Sequence, residues 1–232
     1  MIIALNNKSN LGKTEFGLYQ EKLNTINTNH TLILCPTSLN ISLFSSNKLF
    51  LGSQNVSKTD DGAYTGEVSA KQLKSYGVTY CIVGHSERRQ YQKESLDDIS
   101  EKVKKLLEND IIPILCIGET KEERLSNNYK EVLLKEINSV ITTLQQEEKN
   151  KIIVAYEPIW SIGTGLIPTN EEIEEVNKLI KELLPNNKIL YGGSANENNI
   201  EQLNNVKGID GYLLGGLSLK PDNLNIFLNK IN

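Results

Sequence analysis

No stretch of the 232-residue chain is apolar over the length a membrane-spanning helix needs, roughly 20 residues. Positive charge is not in excess either: 25 Lys and Arg face 29 Asp and Glu, for a net charge of -4. That balance supplies no basic field, so neither nucleic acid nor an anionic lipid surface is expected as a partner. Cysteine is scarce and odd in number. Cys35, Cys81 and Cys116 each lie within or at the end of an apolar run, as small buried thiols in a reducing compartment would, and they imply no disulfide framework. No His and Cys stand at metal-ligand spacing and no GxGxxG follows the first apolar run, so neither a metal nor a dinucleotide cofactor is expected. The N-terminus, MIIALNNKSN, lacks the charged head and long apolar core of an export signal. A cytoplasmic location is the expectation.

What the chain does have is alternation. Short apolar runs recur at Ile2 to Leu5, Thr31 to Cys35, Leu49 to Ser53, Thr79 to Val83, Ile111 to Ile117, Ile152 to Tyr156, Lys188 to Tyr191 and Ile209 to Leu214. Between them lie helical stripes such as Phe16, Tyr19, Leu23, Ile26 and Leu133, Ile137, Val140, Ile141, Leu144, each of which needs a sheet to cover. Others are Ile99, Val103, Leu106, Leu107; Ile173, Val176, Leu179, Ile180, Leu183; Ile200 with Leu203; and Leu224, Phe227, Leu228, Ile231; weaker helices fill Ser38 to Phe44 and Ala70 to Tyr76. Strand and helix alternating eight times without a linker predict an α/β fold, a closed (β/α)8 barrel formed by residues 1–232 as one domain. In such a barrel the chemistry lies at the carboxyl ends of the strands.

Those ends are loaded. Glu157 closes a strand that is apolar throughout, and a half-buried acid there is expected to rise in pKa toward neutrality, where it can serve as a general base; capping a neighbouring element is its bland alternative. After it, Trp160 sits in a segment whose Gly163 and Gly165 permit unusual backbone angles, which describes a lid with hinges. Gly192-Gly193-Ser194 and Gly215-Gly216 follow the seventh and eighth runs, where barrels bind phosphate through backbone N–H groups, although glycines also end strands for steric reasons. His85, between Gly84 and Ser86 at a helix start, is placed to remain neutral and donate a hydrogen bond. Lys8 can stabilise an oxyanion. Glu87 suits an ion-pair partner for Lys8 or an arginine, Glu119 a structural acid, and His30 has no assigned role. A phosphorylated substrate, one base, one neutral acid and one cation suit proton transfer beside a carbonyl. Two rivals stay open on the residues: an aldolase working through a lysine Schiff base, and a binding protein that keeps the barrel without turnover.

The strings Asn6-Asn7-Lys8-Ser9-Asn10, Gly62 to Glu67, GHSERR from Gly84, Tyr156 to Gly165, Tyr191 to Ser194 and Leu214 to Lys220 resemble the triosephosphate isomerase family, whose barrel is the TIM barrel, along the whole chain. The resemblance implies a cofactor-free isomerase of glycolysis and gluconeogenesis that interconverts dihydroxyacetone phosphate and D-glyceraldehyde 3-phosphate through an enediolate. It implies Glu157 as base, His85 as electrophile, and Lys8 and Asn6 as electrostatic support; the neutral state of that histidine is a family property it carries over. Gly163, Ser194, Gly215 and Gly216 match phosphate contacts, no metal is implied, and the loop around Thr65 implies a homodimer. The chain departs from the family at Asn7 and Ser9 around the lysine, at Leu217 after the phosphate glycines, and at Leu166-Ile167-Pro168 in the far hinge of the lid. Pro168 lacks the N–H that in the family is expected to bond the tyrosine matching Tyr191 when the lid is open. These departures bear on packing and loop motion.

Overall fold

The structure, a computed structural model, describes residues 1–231. Eight strands form: β1 (Ile2–Asn6), β2 (Thr31–Cys35), β3 (Phe50–Ser53), β4 (Tyr80–Val83), β5 (Ile112–Ile117), β6 (Ile153–Tyr156), β7 (Ile189–Tyr191) and β8 (Gly211–Leu214). They pair in chain order, all parallel, and β1 closes the barrel on β8 with Ile2 opposite Gly211. Gly211 is fitted to that seam, because a Cβ there would overlap the backbone of Ile2.

Every strand except β3 is apolar on both faces because it serves two cores. Ala4, Ile33, Cys35, Ile82, Ile114, Cys116, Ile153, Ala155, Leu190 and Leu213 fill the barrel interior. The alternate residues, such as Ile3, Leu5, Leu115, Val154 and Tyr156, face the helical shell. Burying a Leu or Ile side chain contributes about 1.5–3 kcal/mol, so this double layer is the main source of stability. The shell uses the predicted stripes: Lys13–Thr25 buries Phe16, Tyr19 and Leu23, Leu96–Glu108 buries Ile99, Val103, Leu106 and Leu107, and Tyr129–Ile141 buries Leu133, Ile137, Val140 and Ile141. Asn170–Leu183 buries Ile173, Val176 and Ile180, while Leu179 and Leu183 of its expected stripe are only partly covered. Its start is fixed by a capping box, in which Thr169 accepts from the Glu172 amide and Glu172 reaches back to the Thr169 N–H.

Two short helices, Lys121–Leu125 and Gln146–Lys149, were not readable in the sequence because they bury no residue and so carry no apolar stripe. The helices expected to end at Phe44 and Tyr76 stop at Ile41 and Ser75. Among the described residues no helix is long and apolar enough to cross a membrane.

Candidate active site

Closure of the barrel gathers the strand ends on one rim. Asn6, Lys8, His85, Glu157, Gly163, Ser194, Gly215 and Gly216, the site residues expected from sequence, all line one cleft of about 320 Å³ there.

At the centre of the cleft, Glu157 extends from the end of β6 and is almost fully buried. Its Oε1 lies 3.1 Å from His85 Nε2, and its Oε2 accepts the Ser86 backbone N–H at 3.4 Å. Gly192 makes room for it: a Cβ at that position would lie 2.7 Å from Glu157 Cγ. The expected rise in pKa does not occur. Burial does push the Glu157 carboxyl up, but the charge and hydrogen bond of His85, the charge of Arg89 and the Cys116 thiol together outweigh it, and the net direction is down. Sequence inspection saw the burial and could not see the partners.

His85 follows β4 and caps the short helix Ser86–Tyr91, whose Glu87 N–H donates to Nδ1 at 3.3 Å. An accepting Nδ1 carries no proton, so the neutral ring holds its proton on Nε2, facing Glu157. Burial lowers the His85 pKa, yet the Glu157 carboxylate followed by Glu87 raises it further, and the net direction is up. The downward shift expected from its helix start alone is therefore corrected in direction. In this arrangement the carboxylate in contact with Nε2 draws the ring toward the cation, and the neutral donor depends on that carboxylate turning away onto a substrate.

Lys8 follows β1 with a left-handed backbone, φ 51°. For a non-glycine residue this costs on the order of 1–3 kcal/mol and persists only where neighbours enforce it. Here Asn6 Oδ1 accepts the Lys8 N–H at 3.0 Å and Gln54 Nε2 donates to its carbonyl at 2.9 Å. Asn6 thus supports Lys8 through the backbone as well as by lining the cleft. The Lys8 ammonium pairs with Glu87 Oε1 at 2.5 Å, the ion pair expected for that acid. Gly215 leaves room for the lysine stem, since a Cβ there would meet Lys8 Cε at 3.0 Å.

The glycine pairs prove unequal. Gly192 and Gly193 are set by packing against Glu157 and against Tyr191 with Ser161, Gly215 by the lysine, and only Gly216 has open space where a side chain would start. Asn7, where the family departs, is buried and ties the first loop to the last: its Nδ2 donates to Tyr19 Oη at 3.1 Å and to Ser218 Oγ at 3.3 Å. Leu217 packs into the outer core.

The lid begins at a 3-10 turn, Ile159–Ser161. Trp160 Nε1 donates to Glu119 Oε1 at 3.1 Å, an oxygen that also receives Tyr156 Oη at 3.1 Å and Arg124 Nε at 2.9 Å. Glu119, read as structural, is the fully buried anchor of the lid's first residues. Gly163 and Gly165 take φ 69° and 79°, as hinges between rigid ends require. Gly165 N–H donates to Ser194 Oγ at 3.3 Å, so the lid is docked on the turn after β7. Gln54, Arg89 and Ser161 were missed from the sequence. A partly buried glutamine or arginine, or a buried serine, has no local pattern to mark it, and Arg89 and Ser161 stood in family-like strings without a role.

The family model for triosephosphate isomerase matches residues 1–231. A triosephosphate isomerase of Mesomycoplasma hyorhinis is 45% identical over 208 residues, covering 88% of this chain and 84% of the relative. That of Mycoplasmopsis agalactiae is 42% identical over 200 residues, with 84% and 76% covered, and one from Francisella tularensis subsp. holarctica is 39% identical over 193 residues, with 80% and 76% covered. Likeness of this extent, running through every strand of the barrel and across the rim that holds the cleft, makes the chain a member of the triosephosphate isomerase family.

Proposed function

We propose that this cleft carries the family's reaction, the interconversion of dihydroxyacetone phosphate and D-glyceraldehyde 3-phosphate, with Glu157 as the base and His85 as the electrophile. Triose-phosphate interconversion is the activity that membership brings, and with it a place in glycolysis and gluconeogenesis. The observation that carries the residue roles is the 3.1 Å approach of Glu157 Oε1 to His85 Nε2 in a buried cleft. A substrate entering between them presents a carbon-bound proton to the carboxylate and a carbonyl oxygen to the ring. Glu157 takes the proton from one carbon, Nε2–H polarises the oxygen as its charge grows, and Glu157 returns the proton to the neighbouring carbon. Lys8 and Asn6 supply electrostatic support to the enediolate oxygens. The Lys8 side-chain nitrogen is engaged by Glu87 at 2.5 Å, which speaks for this role and against a Schiff base, since that chemistry needs the nitrogen free to attack a carbonyl.

Ser194, Gly163, Gly215 and Gly216 are assigned to the substrate phosphate. Inorganic phosphate or sulfate then inhibits competitively in a coupled isomerase assay, because the cradle binds the anion without the rest of the substrate. Noncompetitive inhibition, or none, would remove this assignment; absence of turnover in the same assay would remove the reaction.

A homodimer built through the loop around Thr65 is part of this reading. Residues 62–67 are all exposed, half-exposed Tyr64 among them, and a groove of about 490 Å³ beside the cleft includes Lys8, Ser9, Gln54, His85 and Tyr91 in its wall. A second copy's loop inserted there would complete the wall behind Lys8. Thr65→Glu places a charge at that contact, and sedimentation should then find monomer where the wild type is dimeric, with activity reduced; a monomeric wild type of full activity overturns it. A single domain over residues 1–232 is supported by the one closed barrel, and a cytoplasmic location by three free, buried cysteines.

A further inference from the structure

We propose that the Ser161 hydroxyl is a positioning residue that latches the docked lid to the phosphate-binding turn, a role that rests on the triosephosphate isomerase reading. A hydroxyl has one hydrogen to donate and two lone pairs, and in this structure all three are committed. Ser161 Oγ donates to the Leu166 carbonyl at 2.5 Å, accepts the Ser194 N–H at 3.1 Å, and lies 3.4 Å from Tyr191 Oη, which must donate because the serine proton is already used. The Ser161 carbonyl in turn accepts Ser194 Oγ at 2.5 Å. The side chain is fully buried, so water cannot replace a lost partner.

The placement of these bonds decides their effect. Ser161 belongs to the near end of the lid and Leu166 to its far end, so the 2.5 Å bond staples the two ends together. Ser194 belongs to the turn after β7, lines the cleft, and also receives the Gly165 N–H. One hydroxyl therefore joins both ends of the lid to the residue assigned to the substrate phosphate. Gly193 is part of the same fit, because a side chain there would collide with Ser161 Oγ and Tyr191 Oη. Pro168, at the far hinge, is buried and has no N–H to offer Tyr191. The tyrosine reaches the lid through Ser161 instead, at the long limit of a hydrogen bond, so most of the hold lies in the serine.

The test compares wild type with Ser161→Ala, Ser161→Cys and Tyr191→Phe. A net hydrogen bond is worth about 0.5–1.5 kcal/mol, up to roughly tenfold in an equilibrium. Ser161→Ala should lower kcat/KM for the phosphorylated substrate about tenfold, and should leave the slow turnover of glyceraldehyde, which brings no phosphate to Ser194, within about twofold. Ser161→Cys should resemble Ala, because a thiol fills the volume but is a weak donor and acceptor. Tyr191→Phe should change either rate by less than about threefold. Independently of turnover, Trp160 fluorescence or ¹⁹F relaxation with saturating inorganic phosphate should show a larger open population in Ser161→Ala than in wild type. Equal loss on both substrates, recovery in the cysteine variant, or an unchanged lid population would overturn the latch. A wild type without isomerase activity would instead fail the family reaction, leaving the lid measurement to judge the latch.

Discussion

Exchange of Glu157 for glutamine lowers kcat by roughly two to four orders of magnitude, the contribution of a positioned general base. The change is nearly isosteric, which matters because Gly192 and the backbone around Gly118 press directly on this residue. Glutamine keeps an oxygen facing His85 Nε2 and removes the basicity; what else it gives up is the 3.4 Å contact from the Ser86 N–H, at the long limit of a hydrogen bond, and replacing a buried ion by a neutral group of the same shape is often tolerated. The melting temperature should therefore stay close to that of wild type while turnover is lost; turnover within a few-fold of wild type would exclude Glu157 as the base. The pH behaviour has a definite sign. Because the folded-state pKa of Glu157 is displaced downward from the ordinary 4.5, the carboxylate is ionised at every pH above that value and is protonated only as pH falls through the lower one. The free enzyme thus holds its base ready throughout the neutral range. A titration of ¹³C-labelled glutamate with a midpoint above 4.5 at this site would contradict the hydrogen bonding described.

Loss of the imidazole has the second largest effect. His85→Gln should reduce kcat by roughly two to three orders of magnitude, the scale set by removing a preorganised donor to a developing oxyanion. A companion measurement separates the two carboxylates acting on the ring. In wild type the Glu157 carboxylate, 3.1 Å from Nε2, is the chief influence raising the His85 pKa against burial. In Glu157→Gln that influence is gone, while the Glu87 amide still points at Nδ1. The His85 pKa should then fall below its wild-type value, and at neutral pH the ring should be neutral with its proton on Nε2, as ¹⁵N chemical shifts would report. A pKa that is unchanged or higher in the variant would show that Glu157 does not control the ring, and the division of labour between base and donor would need to be redrawn.

The sequence by itself determined the barrel and its rim. A strand buried on both faces must be apolar throughout, and a helix covering a sheet must repeat its apolar residues every three or four positions, so both patterns are written locally and were legible. All eight expected site residues line the cleft, because in a closed barrel every strand end arrives at the same rim. Tertiary structure alone decided the electrostatics and what the lid rests on. The Glu157 pKa moves down because His85, 72 positions earlier in the chain, and Arg89 and Cys116 surround it, and distance in sequence says nothing about such company. The same is true of the glycines, three of which are fixed by the side chains of Glu157, Ser161, Tyr191 and Lys8 pressing on them. Ser161 is the clearest case: an unremarkable serine in a recognised string, whose partners at Leu166, Tyr191 and Ser194 meet only when β6 and β7 lie side by side.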